Sequence, residues 1–205
     1  MERLICVLVG YVFGLIQTGY IYGKKNGVDL RKKGSGNAGT TNALRTMGWK
    51  AGAVTLLGDC FKCVAAVVVV HLIYGKTHTD MMPLLSMYAG MGAVLGHNYP
   101  FYLKFKGGKG IAATAGLIIS TTNIWIVLIC LATFIVIVAA TRYVSLGSMT
   151  VVTIYLISVI VYGQHGGFGV ENVSYLHEMY GVAAFLMILA FWRHRANIKR
   201  LLSGT

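Results

Sequence analysis

Two stretches of the chain collect residue types that bind anions. The first, Tyr99-Pro-Phe-Tyr-Leu-Lys-Phe-Lys-Gly-Gly-Lys-Gly110, sets Lys104, Lys106 and Lys109 among Gly107, Gly108 and Gly110. Glycines allow the backbone to turn so that several N–H groups point one way, and a helix starting just beyond adds the positive end of its dipole. The apolar run from Ile111 predicts that helix, so the stretch reads as a phosphate cradle with Lys109 in it. From spacing alone it reads equally as a basic turn between apolar segments. It is not a nucleotide P-loop, which would need glycine where Leu103 stands and a hydroxyl residue where Gly110 stands. The second stretch, Gly34-Ser-Gly-Asn-Ala-Gly-Thr-Thr-Asn-Ala-Leu-Arg45, offers Ser35, Gly36, Asn37, Thr41 and Asn42 ahead of an arginine. Small hydroxyl and amide side chains with a guanidinium suit a phosphate or polyol. Asn42 or a neighbouring threonine is expected to cap a short helix carrying Arg45. The plain alternative is a capped turn.

Two further groups are smaller. Arg142-Tyr-Val-Ser-Leu-Gly-Ser148 brings Ser145 and Ser148, and His194 and Asn197 stand three residues apart, on one face if the last helix continues that far. None of the four stretches contains Asp or Glu, so no metal site is expected in them. Cys60 and Cys63 have CxxC spacing without a second pair, inside an apolar helix-like run with Cys6 and Cys130 elsewhere, which favours packing over zinc or redox chemistry.

What must hold these residues follows from composition. Of 205 residues 56% are hydrophobic and 12% charged, with mean hydropathy +0.68. That is too apolar for a soluble domain, and several runs approach the roughly 20 residues that cross a bilayer. The net charge of +12 is confined to short connections, which argues for membrane topology rather than nucleic acid. The expected architecture is an all-α integral membrane protein, one domain over 1–205, with about seven transmembrane or half-membrane helices. The spans fall at 4–22, 51–74, 81–99, 124–140, 149–162 and 179–192. The run 111–120 reaches only about 15 Å and reads as a half-helix ended by Thr121-Thr-Asn123. The first span resembles a signal peptide but lacks a small-x-small cleavage site, so it is expected to be retained.

Within the second span Asp59 and Lys62 are three apart and are expected to neutralise each other. Gly90, Gly92 and Gly96 would let helices approach closely. His97 and Asn98 either support the basic loop or cap the third span. Basic residues alternate between connections. Lys24, Lys25, Arg31, Lys32, Lys33, Arg45 and Lys50 lie in one, the three lysines of the glycine loop in another, then Arg142, then Arg193, Arg195, Lys199 and Arg200. The opposite connections hold Lys76 alone. The positive-inside tendency places the N-terminus outside and the C-terminus in the cytoplasm. All four polar stretches then face the cytoplasm, where a substrate with phosphate at one end and an acyl chain at the other would suit them.

These residues resemble a known family. The stretches 34–45, 96–110, 141–148 and 194–205 are similar, in order, to the motifs of the bacterial acyl-phosphate:glycerol-3-phosphate acyltransferases, the PlsY family. The likeness runs from the first span to the last residues. It differs in that members often continue with an acidic residue past the final Gly-Thr. The HxxxxD spacing of acyl-CoA-dependent acyltransferases does not occur at any histidine.

The resemblance implies transfer of an acyl group from acyl phosphate to glycerol 3-phosphate, giving lysophosphatidic acid at the bacterial inner membrane. It implies Ser35, Arg45, Lys109, Ser148, His194 and Asn197 as the polar lining. Ser35, Arg45, Lys109, His194 and Asn197 are expected to be catalytic. Gly36, Asn37, Thr41, Asn42, Lys104, Lys106, Gly107, Gly108, Gly110, Ser145 and Ser148 are expected to bind substrate. No cofactor, metal or nucleic acid is expected. The partners implied are the two substrates, membrane lipid and functionally the enzyme that makes acyl phosphate. Direct transfer without an acyl-enzyme is expected, with the substrate's own phosphate as base. The rival reading is a small-anion or phosphate transporter, which would share the half-helix and basic pocket, although the two halves of the chain show no internal repeat.

Overall fold

The computed structural model describes residues 1–204; Thr205, which closes the last sequence motif, lies outside the described residues. The regular structure there is helical, and the residues cluster into two compact units, Met1–Ser120 and Thr121–Thr205. The first contains α1 (Glu2–Gly14), α2 (Thr18–Lys25), α3 (Thr40–Met47), α4 (Trp49–Tyr74), α5 (Met82–Asn98) and nearly all of α6 (Ile111–Thr121). The second contains α7 (Ile124–Thr141), α8 (Val144–Gln164), α9 (Val173–Arg193) and α10 (Arg195–Leu202).

Among the described residues, five stretches are long and apolar enough to cross a membrane: Glu2–Lys25, Trp49–Tyr74, Ile124–Thr141, Val144–Gln164 and Val173–Arg193. Their outward residues are those a water-soluble protein would hide. Leu72 is 80% exposed, Trp125 70% and Val136 64%. The most apolar stretch, α7, is also the least buried of the five. Hydrocarbon rather than water is the solvent that stabilises such a surface. With lipid as apolar as leucine, helices associate by close packing instead. The α1–α5 pair does so through glycine: a Cβ on Gly10 or Gly14 would strike the Ala89 or Ala93 carbonyl, and one on Gly92 or Gly96 the Val7 or Tyr11 carbonyl. The expectation for Gly92 and Gly96 is met in that seam. Gly90 instead receives the side chain of Leu117 from α6.

The first span is not the continuous helix that 4–22 predicts. It is interrupted at 15–17, between α1 and α2, where Gln17 takes a non-helical φ −93° and ψ 85°. The broken backbone is repaired from elsewhere. The Gln17 side-chain amide donates to the carbonyls of Gly14 (3.2 Å), Gly96 (3.4 Å) and His97 (3.0 Å), and Lys62 Nζ donates to the Ile16 carbonyl (2.6 Å). Non-helical backbone among apolar helices requires such protein donors.

Other boundaries follow local chemistry. Pro100 lies just past the end of α5. Asn123 Oδ1 accepts from Ile126 N (3.0 Å) to start α7, as Asn172 Oδ1 does from Ser174 N (2.9 Å) for α9. That last cap moves the start of the final span from 179 back to Val173. Likewise α8 begins at Val144 rather than 149, because Arg142 ends α7 with φ +62° and the chain re-enters helix at once. The CxxC pair packs: Cys63 is fully buried, and Cys60 and Cys63 line the wall that Gly116 of α6 leans on.

Candidate active site

The candidate residues are divided between the two units. In the first, the Ser35 loop is built around one side chain. Asn42 Oδ1 accepts from Ser35 N (2.9 Å), and its Nδ2 donates to the carbonyls of Leu30 (3.0 Å), Lys33 (3.0 Å) and Asn37 (2.9 Å). Asn42 is 2% exposed, so its hydrogen-bonding capacity is spent on the protein. It does not cap α3 either, because it sits inside that helix, whose N-cap is Gly39 without a side-chain bond. Asn37 is similarly engaged, its Oδ1 accepting from Gly39 N (2.8 Å). Gly34 and Gly36 have φ +59° and +70°, and a Cβ on Gly34 would collide with Asn42 Oδ1. The result is a rigid loop that presents Ser35 at the surface, next to a helix from which Thr41 and Arg45 project outward.

The loop is braced on its other side by Asp29. Its Oδ1 caps the turn at Leu30–Lys32 through Arg31 N (3.0 Å), and its two oxygens pair with Arg31 Nε (3.0 Å) and Nη2 (2.9 Å). The guanidinium lies 4.6 Å from the Tyr20 ring centre. The Arg31 guanidinium holds the Asp29 carboxyl below the usual carboxylate range. Nearby, burial pushes the Tyr102 phenol up, and its hydroxyl donates to the Leu15 carbonyl (2.7 Å).

The glycine loop is laid across the C-terminus of α5. A helix leaves its last carbonyls without intrahelical partners, and here the loop supplies them: Gly108 N donates to the His97 carbonyl (3.1 Å) and Gly107 N to that of Asn98 (3.2 Å). Those two amides therefore close the loop. The N–H groups left over for an anion belong to the first turn of α6, which begins to pair only at Thr114 N to the Gly110 carbonyl (2.8 Å). Gly108 has to be glycine because a Cβ would overlap the His97 ring, and Gly110 turns into α6 at φ +83° with Asn98 Oδ1 beside it. Lys104 and Phe105 hold left-handed backbone, φ +54° and +58°, folding the tip so that Lys104, Phe105 and Lys106 stand exposed. Lys109 is half-buried directly before the helix N-terminus. Gln17 and the pair behind this loop, Lys62 and Asp59 (2.8 Å, side chains 2% and 1% exposed), complete the frame. Gln17 is the residue sequence reasoning missed; a glutamine in an otherwise apolar span was the available signal.

In the second unit Ser145 and Ser148 lie in the first turns of α8, Ser148 buried with its hydroxyl donating to the Val144 carbonyl (2.8 Å). His194 is 2% exposed and sits between α9 and α10 with φ −99° and ψ 4°. The last helix thus does not run straight through it. Its carbonyl nevertheless accepts from Asn197 N (2.7 Å), so the two residues are joined through the start of α10. His194 Nδ1 is 2.8 Å from the Ala190 carbonyl, which can only accept, so that nitrogen carries a ring proton.

Comparison with known proteins identifies the family. Residues 4–204 match the family model described as glycerol-3-phosphate acyltransferase. A glycerol-3-phosphate acyltransferase of Clostridioides difficile (strain 630) is 43% identical over 203 residues, 98% of this chain and 93% of the relative. One of Bacillus subtilis (strain 168) is 37% identical, covering 97% and 93%. A crystal structure of PlsY, an integral membrane glycerol 3-phosphate acyltransferase, in its glycerol 3-phosphate form matches with TM-score 0.83 and 31% identity, covering 100% of this chain and 94% of that one. The lysophosphatidic acid form matches with TM-score 0.82 and 30% identity. The chain belongs to the glycerol-3-phosphate acyltransferase family.

Proposed function

We propose that this protein transfers a fatty acyl group from acyl phosphate to the 1-hydroxyl of sn-glycerol 3-phosphate, releasing lysophosphatidic acid and inorganic phosphate. The observation that supports the donor half is the turn at 107–110, which sets Lys109 two residues ahead of the first helical residue of α6, Ile111. Lys109 and the first amides of α6 hold the donor's phosphate and stabilise charge as it leaves. Arg45, His194 and Asn197 are assigned to glycerol 3-phosphate. Ser35, Thr41, Ser145, Ser148 and the exposed Lys104 and Lys106 supply further polar contacts. The glycerol oxygen attacks the acyl carbon, the carbon–oxygen bond to phosphate breaks, and the hydroxyl proton passes to phosphate. Acyl phosphate is already activated, so positioning suffices and no acyl-enzyme forms. The site faces the cytoplasm in a helical bundle of about seven membrane segments, N-terminus outside.

Purified protein given palmitoyl phosphate and labelled glycerol 3-phosphate should form labelled lysophosphatidic acid, and acyl-CoA should not replace the donor. Phosphate exchange across vesicles with no lysophosphatidic acid formed would replace this reading with transport. Orientation is tested separately. Single cysteines in the 24–50 loop and near Arg200 should label from the cytoplasmic side, and one at Gly167 from the outside; the reverse pattern overturns the topology.

A further inference from the structure

Past the last long helix the chain turns wholly basic. No Asp or Glu follows Glu178, whereas Arg193, Arg195, Lys199 and Arg200 fall close together. Three of those cations belong to α10, and none of the eight residues of that helix is buried. A helix so short is marginal in water, where roughly 12 residues are needed, and the rest of the protein covers only one side of it, with Asn197, Ile198 and Leu201 half-buried. The other side continues a line that starts on α9. Trp192, Arg195, Lys199 and Leu202 follow one another at steps of three or four residues, which aligns them on one helix face. All four are exposed, Trp192 at 60% and Leu202 at 85%. The Arg195 guanidinium lies 4.8 Å from the Trp192 ring centre and donates through Nη1 to the Trp192 carbonyl (3.1 Å). A guanidinium has five N–H donors, so this bond leaves others for a phosphate.

We infer that the face made by Trp192, Arg195, Lys199 and Leu202 is a docking surface for anionic phospholipid headgroups, and that it seats α10 on the membrane. Trp192 is in the last turn of a stretch long and apolar enough to cross a bilayer, Val173–Arg193. Tryptophan concentrates where hydrocarbon gives way to headgroups. At 1.5 Å per residue, α10 extends about 12 Å from that level, so its basic side chains stay within reach of lipid phosphates. An acidic soluble protein would match the charge, but it would leave the apolar surface of Trp192 and Leu202 without acyl chains to enter. Lysine and arginine suit both layers, with stems lying along apolar surface and heads at the phosphates. The surface contains neither His194 nor Asn197, so the inference stands apart from the reading of the acyl-transfer site.

Hydrogen exchange of the 197–202 backbone amides tests it, on the whole protein in nanodiscs of phosphatidylcholine alone or with about 30% phosphatidylglycerol. Each Lys or Arg at an anionic surface strengthens attachment about fivefold, so exchange should be at least about tenfold slower in the anionic discs. In 1 M salt, where the screening length falls to about 3 Å, the difference between the lipids should shrink below about threefold. Arg195→Gln/Lys199→Gln should shrink it likewise at low salt, while Trp192→Ala should raise exchange in both lipids. Equal protection in the two lipids would mean that Trp192 and Leu202 seat the helix by apolar contact alone. Protection in neither would mean that the bilayer is not the partner. Either result overturns the inference. Should the double variant not fold, the wild-type comparison across lipid and salt decides alone.

Discussion

Asn42→Asp is a near-isosteric change that should be worse than truncation. The carboxylate keeps an acceptor for Ser35 N–H but sets an oxygen where Nδ2 now faces the carbonyls of Leu30, Lys33 and Asn37 at 2.9–3.0 Å. Two N–H donors disappear, at about 1 kcal/mol net each, and buried carbonyls lose their partner at a further 1–3 kcal/mol or so, giving a cost of about 4 kcal/mol. For a chain of this size that corresponds to a fall in Tm of roughly 10 °C. Asn42→Ala loses those bonds and the acceptor for Ser35 N–H as well, but sets no oxygen against the carbonyls, and should fall between wild type and Asn42→Asp. The pH dependence has a definite sign. A carboxyl buried against carbonyls has its folded pKa raised. The variant is then least impaired at low pH, where a protonated oxygen can donate, and loses stability as pH rises through that raised value. Thermal unfolding in detergent at pH 5 and pH 8, with acyltransfer measured on the same samples, reads both effects. If Asn42→Asp melts within about 2 °C of wild type at pH 8, or above Asn42→Ala, Asn42 is not the keystone of the Ser35 loop.

Three other outcomes are expected. Gly96→Ala drives a methyl group into the Tyr11 carbonyl and should abolish stable folded protein on size-exclusion chromatography, whereas Gly27→Ala, at φ +71° with nothing within 4 Å, should cost only about 1 kcal/mol. Asp29→Asn keeps the turn cap but weakens the Arg31 pair; because the carboxyl's folded pKa is depressed, the deficit, under about 1 kcal/mol, should be present at pH 7 and close as pH falls below 4 or so. Ser35→Ala should lower turnover strongly, and intact-mass analysis of wild type incubated with acyl phosphate alone should show no acyl adduct; an adduct on Ser35 would refute direct transfer.

Local rules made some features legible before any coordinates. The Asp59–Lys62 pair follows from a three-residue spacing, the end of α5 from Pro100, the break before α7 from Thr121-Thr-Asn123, and the helix carrying Arg45 from the small polar residues ahead of it. What stayed hidden depends on distant partners. Asn42 looked like a ligand or cap because its type suits both, yet its three acceptor carbonyls come from 5 to 12 residues before it. The amides of Gly107 and Gly108 could have faced a phosphate; the unpaired end of α5 took them first. The interruption at 15–17 was signalled only by Gln17 itself, because the donor that tolerates it, Lys62, lies in α4 and two of the three carbonyls Gln17 reaches lie in α5.

That interruption also bears on how the protein is made. The chain leaves the ribosome N-terminus first, so the Ile16 carbonyl waits for a donor 46 residues downstream, and Gln17 for acceptors 79 and 80 residues downstream. Until α4 arrives, an inserted first span has a bare Ile16 carbonyl in hydrocarbon, costing several kcal/mol, and until α5 arrives the Gln17 amide has only the Gly14 carbonyl of its own span. The first hairpin therefore gains its final shape only when the third long helix of this unit joins it. A nascent chain arrested before His97 should leave its first span accessible to the membrane's quality-control proteases.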